Sequence, residues 1–174
     1  MNIRRIRAEE GLRLRELRLR ALADAPTAFG STLVEEQARP KEDWDQLAAE
    51  EASSDARARF VAEQNTRWYG MAGVFVLQDQ PEIAQLISMW VDPARRRSGI
   101  ARALVDAVVR WARGRGARRL QLWVTGTNHQ AMSLYACAGF AATERVQPLP
   151  SNPAVQQVLM VLELTFEKRE GEPQ

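Results

Sequence analysis

The chain has 174 residues, 45% of them hydrophobic and 26% charged, a composition typical of a single soluble globular domain with its own core. It contains one cysteine, Cys137, and one histidine, His129, which excludes an internal disulfide and a zinc site built from these residue types. A net charge of +2 is too small to indicate nucleic-acid binding, and no apolar run approaches the ~20 residues of a membrane span.

The first half of the chain predicts one strand, two helices and three further strands. Residues 2–7 alternate enough for a short strand. The leucines of 8–26 partly alternate, as in a strand, but the length and the good helix formers favour a helix that ends before Pro26. Residues 26–32 are predicted as a loop, and 40–52 open with proline and acids, as helices do. Short connections predict an antiparallel meander over 59–64, 68–78 and 82–91.

The second half returns to helical periodicity between Ser98 and about Gly114, where the apolar residues fall on one face. The elements predicted after it are a strand over 118–125, a helix over 128–140, and strands over 141–146 and 155–165 around a proline-rich loop, 147–153. The predicted order is β-α-α-β-β-β-α-β-α-β-β, one mixed α+β domain over 1–166. Residues 167–174 are predicted to be a frayed tail.

The stretch VDPARRRSGIARALV, residues 91–105, joins a strand to a helix through an arginine-glycine turn. The first turn of a helix leaves amide groups unpaired at the positive end of the helix dipole. Gly99 keeps that backbone open to a ligand. Charge around the same opening comes from Arg95, Arg96, Arg97 and Arg102. The turn therefore predicts either a phosphate or pyrophosphate site or a helix start with a solvated arginine cluster; no Walker A or G-x-G-x-x-G pattern is present.

Two sequence motifs, one in the arginine-glycine turn and one after it, favour the phosphate site. RRSGIA, residues 96–101, fits R/Q-x-x-G-x-G/A directly after a strand that ends in MWVDP. The strand LQLWV and the helix NHQAMSLYACAGF follow, with Asn128 and Tyr135 seven residues apart. This arrangement resembles the GCN5-related N-acetyltransferase (GNAT) family, over most of the chain and most closely over 83–146. The resemblance implies a single-domain GNAT-like fold, a central mixed, mostly antiparallel sheet flanked by helices.

The resemblance implies transfer of an acetyl group from acetyl-CoA to an amine, with no metal. The amides of the arginine-glycine turn would hold the pyrophosphate of coenzyme A, and the edge of strand 82–91 would pair with its pantetheine arm. The residues implied for the cofactor are Met89, Trp90, Val91, Arg96, Arg97, Ser98, Gly99, Ile100, Ala101, Arg102, Asn128 and Tyr135. Asn128 also fits a helix N-cap, and the two roles are compatible.

Tyr135 stands where the family often has a tyrosine that protonates the leaving thiolate, so the resemblance implies a catalytic role. Its other interpretation is a core residue, because it shares an apolar stripe with Ala131, Leu134 and Ala138. A general base is not identified. The nearest matches to the family's glutamates are Gln85 and Trp123, which cannot abstract a proton. The alternatives are a water chain or one of Glu35, Glu36, Glu82 and Glu144.

The resemblance places the acceptor site between the first two helices and the loop of the last two strands, here residues 24–32 and 147–153. The residues predicted to contact the acceptor are Phe29, Gln85 and Trp90. The acceptor class stays open among a small amine, an amino acid, and a protein terminus or lysine.

Two other function classes compete with the enzyme. One is a non-catalytic module that binds CoA or acyl-CoA as a sensor. The other is a basic nucleic-acid-binding domain, and the lack of a known nucleic-acid-binding motif in the sequence argues against it. The single cysteine and the polar start of the chain predict a cytoplasmic protein. The last strand, 155–165, is apolar on both faces near its centre, and as an exposed edge it would predict a homodimer.

Overall fold

The computed structural model describes residues 1–164, and this part of the chain contains seven strands and five α-helices. They are β1 (Asn2–Arg5), α1 (Gly11–Asp24), α2 (Leu33–Ala38), α3 (Lys41–Ser53), β2 (Arg57–Gln64), β3 (Arg67–Leu77), β4 (Gln80–Val91), α4 (Ile100–Gly114), β5 (Arg119–Thr125), α5 (His129–Cys137), β6 (Ala141–Leu149) and β7 (Asn152–Glu163). The predicted α+β class and element order are confirmed, apart from the additional short helix α2. The predicted frayed tail, 167–174, lies outside the described residues.

Two local predictions need correction. Helix α2 was not predicted, although Thr32 and Glu35 form a capping box: the Glu35 amide donates to Thr32 Oγ1 at 3.3 Å, and the Thr32 amide donates to Glu35 at 2.7 Å. The loop predicted over 147–153 is wrong, because β6 and β7 form a hairpin with only two residues between them. Pro148 is tolerated in β6 because this strand is at the sheet edge, where a missing N–H breaks no ladder.

The seven strands form one sheet in the order β1-β2-β3-β4-β5-β7-β6. All neighbours are antiparallel except β4 and β5. In this parallel pair, residues 83–85 of β4 face residues 119–121 of β5. After Gln85 and Gln121 the two strands diverge. The prediction of β7 as an exposed edge is wrong, because β7 lies between β5 and β6.

Helices cover both faces of the sheet and divide the core in two. On one face α4 buries an apolar stripe that includes Leu104, Val105 and Val108, and this stripe fixes the start of α4 beside the end of β4. On the other face α1 and α3 bury residues such as Leu17 and Trp44. None of the helices within residues 1–164 is both long and apolar enough to span a bilayer.

Candidate active site

A cleft opens where β4 and β5 diverge. It is lined by residues 86–89 of β4, residues 122–125 of β5, and Asn128, Ala131 and Tyr135 near the start and middle of α5. Parallel strands that stop pairing leave backbone amide and carbonyl groups unused on their facing edges. The cleft therefore offers main-chain hydrogen bonds to an extended ligand, with α5 along one wall.

A bulge in β4 shapes the mouth of the cleft. The pairing with β3 moves from Gly73–Ile87 to Met71–Trp90, and Ser88 between them has a left-handed φ of 53°. After the bulge the Asp92 amide donates to the Tyr69 carbonyl at 2.8 Å. Because backbone groups alternate along a strand, those of Val91 point away from β3, toward the cleft. The same alternation applies to Met89, two residues earlier.

The arginine-glycine turn presents a row of unpaired amides. The Arg96 amide donates to the Pro93 carbonyl at 3.4 Å, and the Ala103 amide donates to the Gly99 carbonyl at 3.0 Å. Between these two, the six amides of 97–102 donate to no acceptor in the part of the chain that the structure describes. Six successive amides at the start of a 15-residue helix form a site for an anion.

Glycine is required in this turn because of its backbone conformation. Gly99 has a φ of 85°, and an added Cβ would meet nothing within 4 Å. A side chain at this position would be strained by its backbone angle and would project into the space in front of the amides. The space in front of the amides is therefore open, and an anion can approach the backbone there.

The arginine side chains of the turn differ in their partners. Arg96 pairs with Asp24 of α1, and its Nε donates to the Val91 carbonyl at 3.2 Å. Arg102 donates to Asp106 and to the Cys137 carbonyl, both at 2.9 Å. Each of these two guanidinium groups has two protein acceptors for its five N–H donors, so both hold positive charge near the turn and keep donors that a ligand can use.

The remaining predicted cofactor residues of the turn have packing or local roles. Arg97 has a left-handed φ of 60°. Ser98 donates its hydroxyl to the Arg95 carbonyl at 2.6 Å. Ile100 is buried at the first position of α4, and Ala101 is half-buried beside it. These residues contribute to the turn through their backbone amides, which belong to the row of unpaired amides.

Tyr135 is buried in the wall of the cleft. Its ring packs edge-on against Phe140, with 5.7 Å between the ring centroids. Burial raises the pKa of Tyr135 above its ordinary value, so the hydroxyl is protonated at neutral pH and is available as a hydrogen-bond donor. Asn128 lines the same cleft, and its Oδ1 accepts the Ala131 amide at 3.1 Å. The N-cap role predicted for Asn128 is confirmed, and its side-chain NH2 group is not used by the cap.

The three residues predicted to contact the acceptor are not equally close to the cleft. Trp90 is buried against α1, and its Nε1 donates to Asp24 at 2.8 Å. Phe29 is buried in the same cluster. Gln85 accepts a hydrogen bond of 3.0 Å from Gln121 at the last paired position of β4 and β5. Phe29 and Trp90 therefore support the α1 side of the site, while Gln85 lies at its closed end.

Sequence reasoning missed Arg18 of α1. Its Nη1 donates to Ser88 Oγ at the bulge at 3.1 Å, and its Nη2 donates to Ser31 Oγ at 2.9 Å. Its guanidinium lies 4.3 Å from the centre of the Phe29 ring. A signal was present in the sequence, because Arg18 is four residues from Leu14 and from Leu22, in the middle of the buried stripe of α1.

The structure also places the candidate general bases. Glu82 and Glu144 are exposed, and Glu35 is used by the capping box. Glu36 accepts from the Ser31 hydroxyl at 2.6 Å. No carboxylate is among the described residues that line the cleft. Nor do three or more His, Cys, Asp or Glu side chains of residues 1–164 come together as a metal site.

Comparisons with known proteins agree with this geometry. The model of the acetyltransferase (GNAT) family matches residues 19–140. The chain is 29% identical over 133 residues to a mycothiol acetyltransferase of Beutenbergia cavernae, covering 64% of this chain and 43% of that protein. It is 36% identical over 87 residues to human N-acetyltransferase 8, covering 48% of this chain and 38% of that protein. The chain thus spans less than half the length of these curated relatives.

Solved structures show the same fold. An acetyltransferase of the GNAT family from Streptococcus pneumoniae superposes with a TM-score of 0.80 at 24% identity, over 94% of this chain and 99% of that one. The yncA protein of Salmonella typhimurium, solved with acetyl-CoA, superposes with a TM-score of 0.79 at 18% identity, over 100% of this chain and 98% of that one.

Proposed function

Because the chain belongs to the acetyltransferase (GNAT) family, we propose that it is an acetyl-CoA-dependent N-acetyltransferase that moves the acetyl group directly from the thioester to an amine. The observation that carries this proposal is the row of six unpaired amides, 97–102, at the start of α4 and next to an open strand edge. A pyrophosphate needs several donors in one concave place, and a pantetheine arm needs main-chain partners beside them.

In this proposal the cofactor lies along the turn and the edge of β4. The pyrophosphate accepts from the amides of 97–102, and Arg96 and Arg102 add positive charge nearby. The pantetheine amides pair with the backbone of Met89 and Val91, and the side-chain NH2 of Asn128 is a further donor. The acetyl-CoA in the structure of the Salmonella typhimurium relative supports this choice of ligand.

The chemistry proposed for the thioester uses few side chains. The neutral amine nitrogen attacks the acetyl carbonyl carbon, and the developing oxyanion is stabilised by a cleft-facing backbone N–H of the segment Met89–Val91. The C–S bond then breaks. Tyr135, which lines the cleft, donates its proton to the leaving thiolate sulfur. The attacking nitrogen releases its surplus proton as the amide forms, and this proton returns to the Tyr135 oxygen through water.

The amine must lose its proton before it attacks. A primary amine with a pKa near 10 is only about a thousandth neutral at pH 7. The described lining of the cleft contains no carboxylate, so we assign the removal of this proton to water in the cleft rather than to a side chain. The rate should then rise with pH as the neutral amine becomes more abundant.

A second candidate function is a CoA-binding sensor without catalysis. The lack of a carboxylate in the described cleft lining is the observation that favours it. The names of the relatives do not decide the acceptor, since one is a mycothiol acetyltransferase and another is named only N-acetyltransferase 8. A cytoplasmic location and a homodimer stay predictions, and the edge expected to form the dimer is not β7.

One screen tests the proposed function. Release of free thiol from acetyl-CoA is measured against pools of small amines, amino acids and peptides, and the melting temperature is measured with and without coenzyme A. We expect a higher melting temperature with coenzyme A and turnover with at least one pool. Stabilisation without turnover in any pool supports the sensor instead. The absence of both effects would contradict the cofactor assignment.

A further inference from the structure

Two arginines are buried beside β4, and their charges are compensated differently. Arg59 donates to both oxygens of Glu51, at 2.9 and 2.7 Å, and both side chains are almost fully buried. Arg18 has no such pair. Its guanidinium donates mainly to the hydroxyl groups of Ser31 and Ser88, and its nearest carboxylate, Glu36, is 3.5 Å away.

Glu36 cannot compensate Arg18 fully, because it has other partners. It accepts from the Ser31 hydroxyl at 2.6 Å and from Arg39 at 3.4 Å. Arg39 has a second, more distant carboxylate in the exposed Asp43, at 3.9 Å. Burial and the nearby charge of Arg59 lower the pKa of Arg18 to about 10, as expected for a cation whose lost hydration is not replaced.

Ser88 connects this charge to the cleft. It is the bulge residue of β4, and it lines the cleft together with Tyr135. Its oxygen accepts from Arg18, so its own hydroxyl proton is available to a ligand. Arg18 thus lies directly behind the wall of the cleft, at the position where β4 presents its backbone to the thioester.

We propose that the acceptor amine carries a carboxylate next to its amine, as a free amino acid does, and that the Arg18 guanidinium and the Ser88 hydroxyl bind that carboxylate. This inference rests on the proposed function, because it names the acceptor class of the same site. A carboxylate supplies the negative charge that Arg18 lacks, and it accepts from a guanidinium and a hydroxyl in one plane. A polyamine would instead bring positive charge toward a buried cation.

The test compares amino acids with their amides. Acetyl transfer from acetyl-CoA is measured for L-leucine against L-leucinamide and for L-phenylalanine against L-phenylalaninamide. The protein is used as wild type, Arg18→Gln and Arg18→Lys. Arg15→Gln is the matched control, because Arg15 is on the same helix and contacts only the Gln37 carbonyl, at 3.4 Å.

We expect the wild type to prefer the acid of each pair in kcat/KM, by roughly 10- to 100-fold, the range of a charged hydrogen-bonded contact. Arg18→Gln should abolish this preference by raising KM for the acid, with KM for the amide and kcat little changed. Arg18→Lys should keep part of the preference, and Arg15→Gln all of it. A wild type without the preference, or an Arg18→Gln variant that retains it, overturns the inference.

A binding measurement separates this inference from the proposed function. Calorimetry with coenzyme A present compares N-acetyl-L-leucine with N-acetyl-L-leucinamide, and it needs no turnover. Acid-selective binding that Arg18→Gln removes supports the carboxylate site even where no amine is acetylated, in which case only the proposed function fails. Equal binding of the two compounds, or binding of neither, overturns the carboxylate site.

Discussion

The two sides of the cleft present their polar groups in different ways. On the cofactor side the donors belong to the main chain, as the six amides of 97–102 that follow one another in sequence. On the proposed acceptor side they belong to side chains from separate elements, with Arg18 from α1, Ser31 from the loop after it, and Ser88 from β4. A site built from main chain accepts any ligand of the right shape and charge, whereas a site built from side chains can change its specificity by single substitutions.

The largest expected effect is a loss of coenzyme A affinity when Gly99 on the proposed cofactor side is substituted. Gly99→Glu places a negative charge in front of the unpaired amides and strains a backbone with φ of 85°. We expect the affinity for coenzyme A to fall at least ~100-fold, measured by calorimetry. The matched control is Gly114→Glu at the other end of the same helix, where an added Cβ also meets nothing within 4 Å. Equal affinity in both variants would show that the turn does not hold the phosphates.

The second prediction sharpens the comparison between the two buried arginines. Glu51→Gln leaves Arg59 buried without its carboxylate, and we expect the free energy of unfolding to fall by about 3 kcal/mol. Glu36→Gln removes the carboxylate near Arg18, which is farther away and shared, so we expect a loss of only about 1 kcal/mol. Urea denaturation of both variants gives the two values. Losses of the same size would contradict the view that Arg18 is poorly compensated.

The third prediction tests the proton donor in the wall between the two sides. Tyr135→Phe keeps the ring that packs on Phe140, so melting temperature and acetyl-CoA affinity should change little. We expect kcat to fall ~100-fold, at the low end of the usual range for general-acid help, because a CoA thiolate is already a good leaving group. Tyr69→Phe is the control for loss of a tyrosine hydroxyl outside the cleft. An unchanged kcat, with chemistry rate-limiting, removes Tyr135 from the mechanism.

The smallest expected effects concern Asn128, whose N-cap role and proposed contact with pantetheine can be separated by two substitutions. Asn128→Ala removes the N-cap of α5, and we expect about 1 kcal/mol less stability. Asn128→Ser keeps a capping oxygen but has no NH2 group to offer pantetheine. Both variants should bind acetyl-CoA a few-fold more weakly, while only the alanine variant should be less stable by denaturation. Full affinity in the serine variant would limit Asn128 to its capping role.

The sequence predicted the strand end, the glycine turn and the helix start around residues 91–100 because this geometry is local. A helix start, a left-handed glycine and a strand end lie within about a dozen residues, and each follows from neighbouring residue types. The same holds for Asn128 and Tyr135, which are placed by one helix. The element order was also predictable from periodicity, although the six-residue α2 was missed because it is too short to show a period.

The cluster of Arg18, Ser31 and Ser88 could not be predicted because residues distant in the sequence form it. Arg18 and Ser88 are 70 positions apart, and they meet only because the β4 bulge faces α1. The chain around Arg18 alternates leucine and arginine, which hid its place in the buried stripe. The facing ends of β6 and β7 were predicted as a loop over 147–153 because prolines break most strands, and the edge position of β6 makes Pro148 acceptable.

The central claim is that main-chain amides of the arginine-glycine turn hold the pyrophosphate of coenzyme A. A nitrogen–proton correlation spectrum of the labelled protein, titrated with coenzyme A, observes these amides individually. We predict large shifts for the six amides of 97–102 and small ones for 113–118, around the other end of α4. Saturable binding of coenzyme A that leaves the 97–102 amides unshifted would contradict the claim.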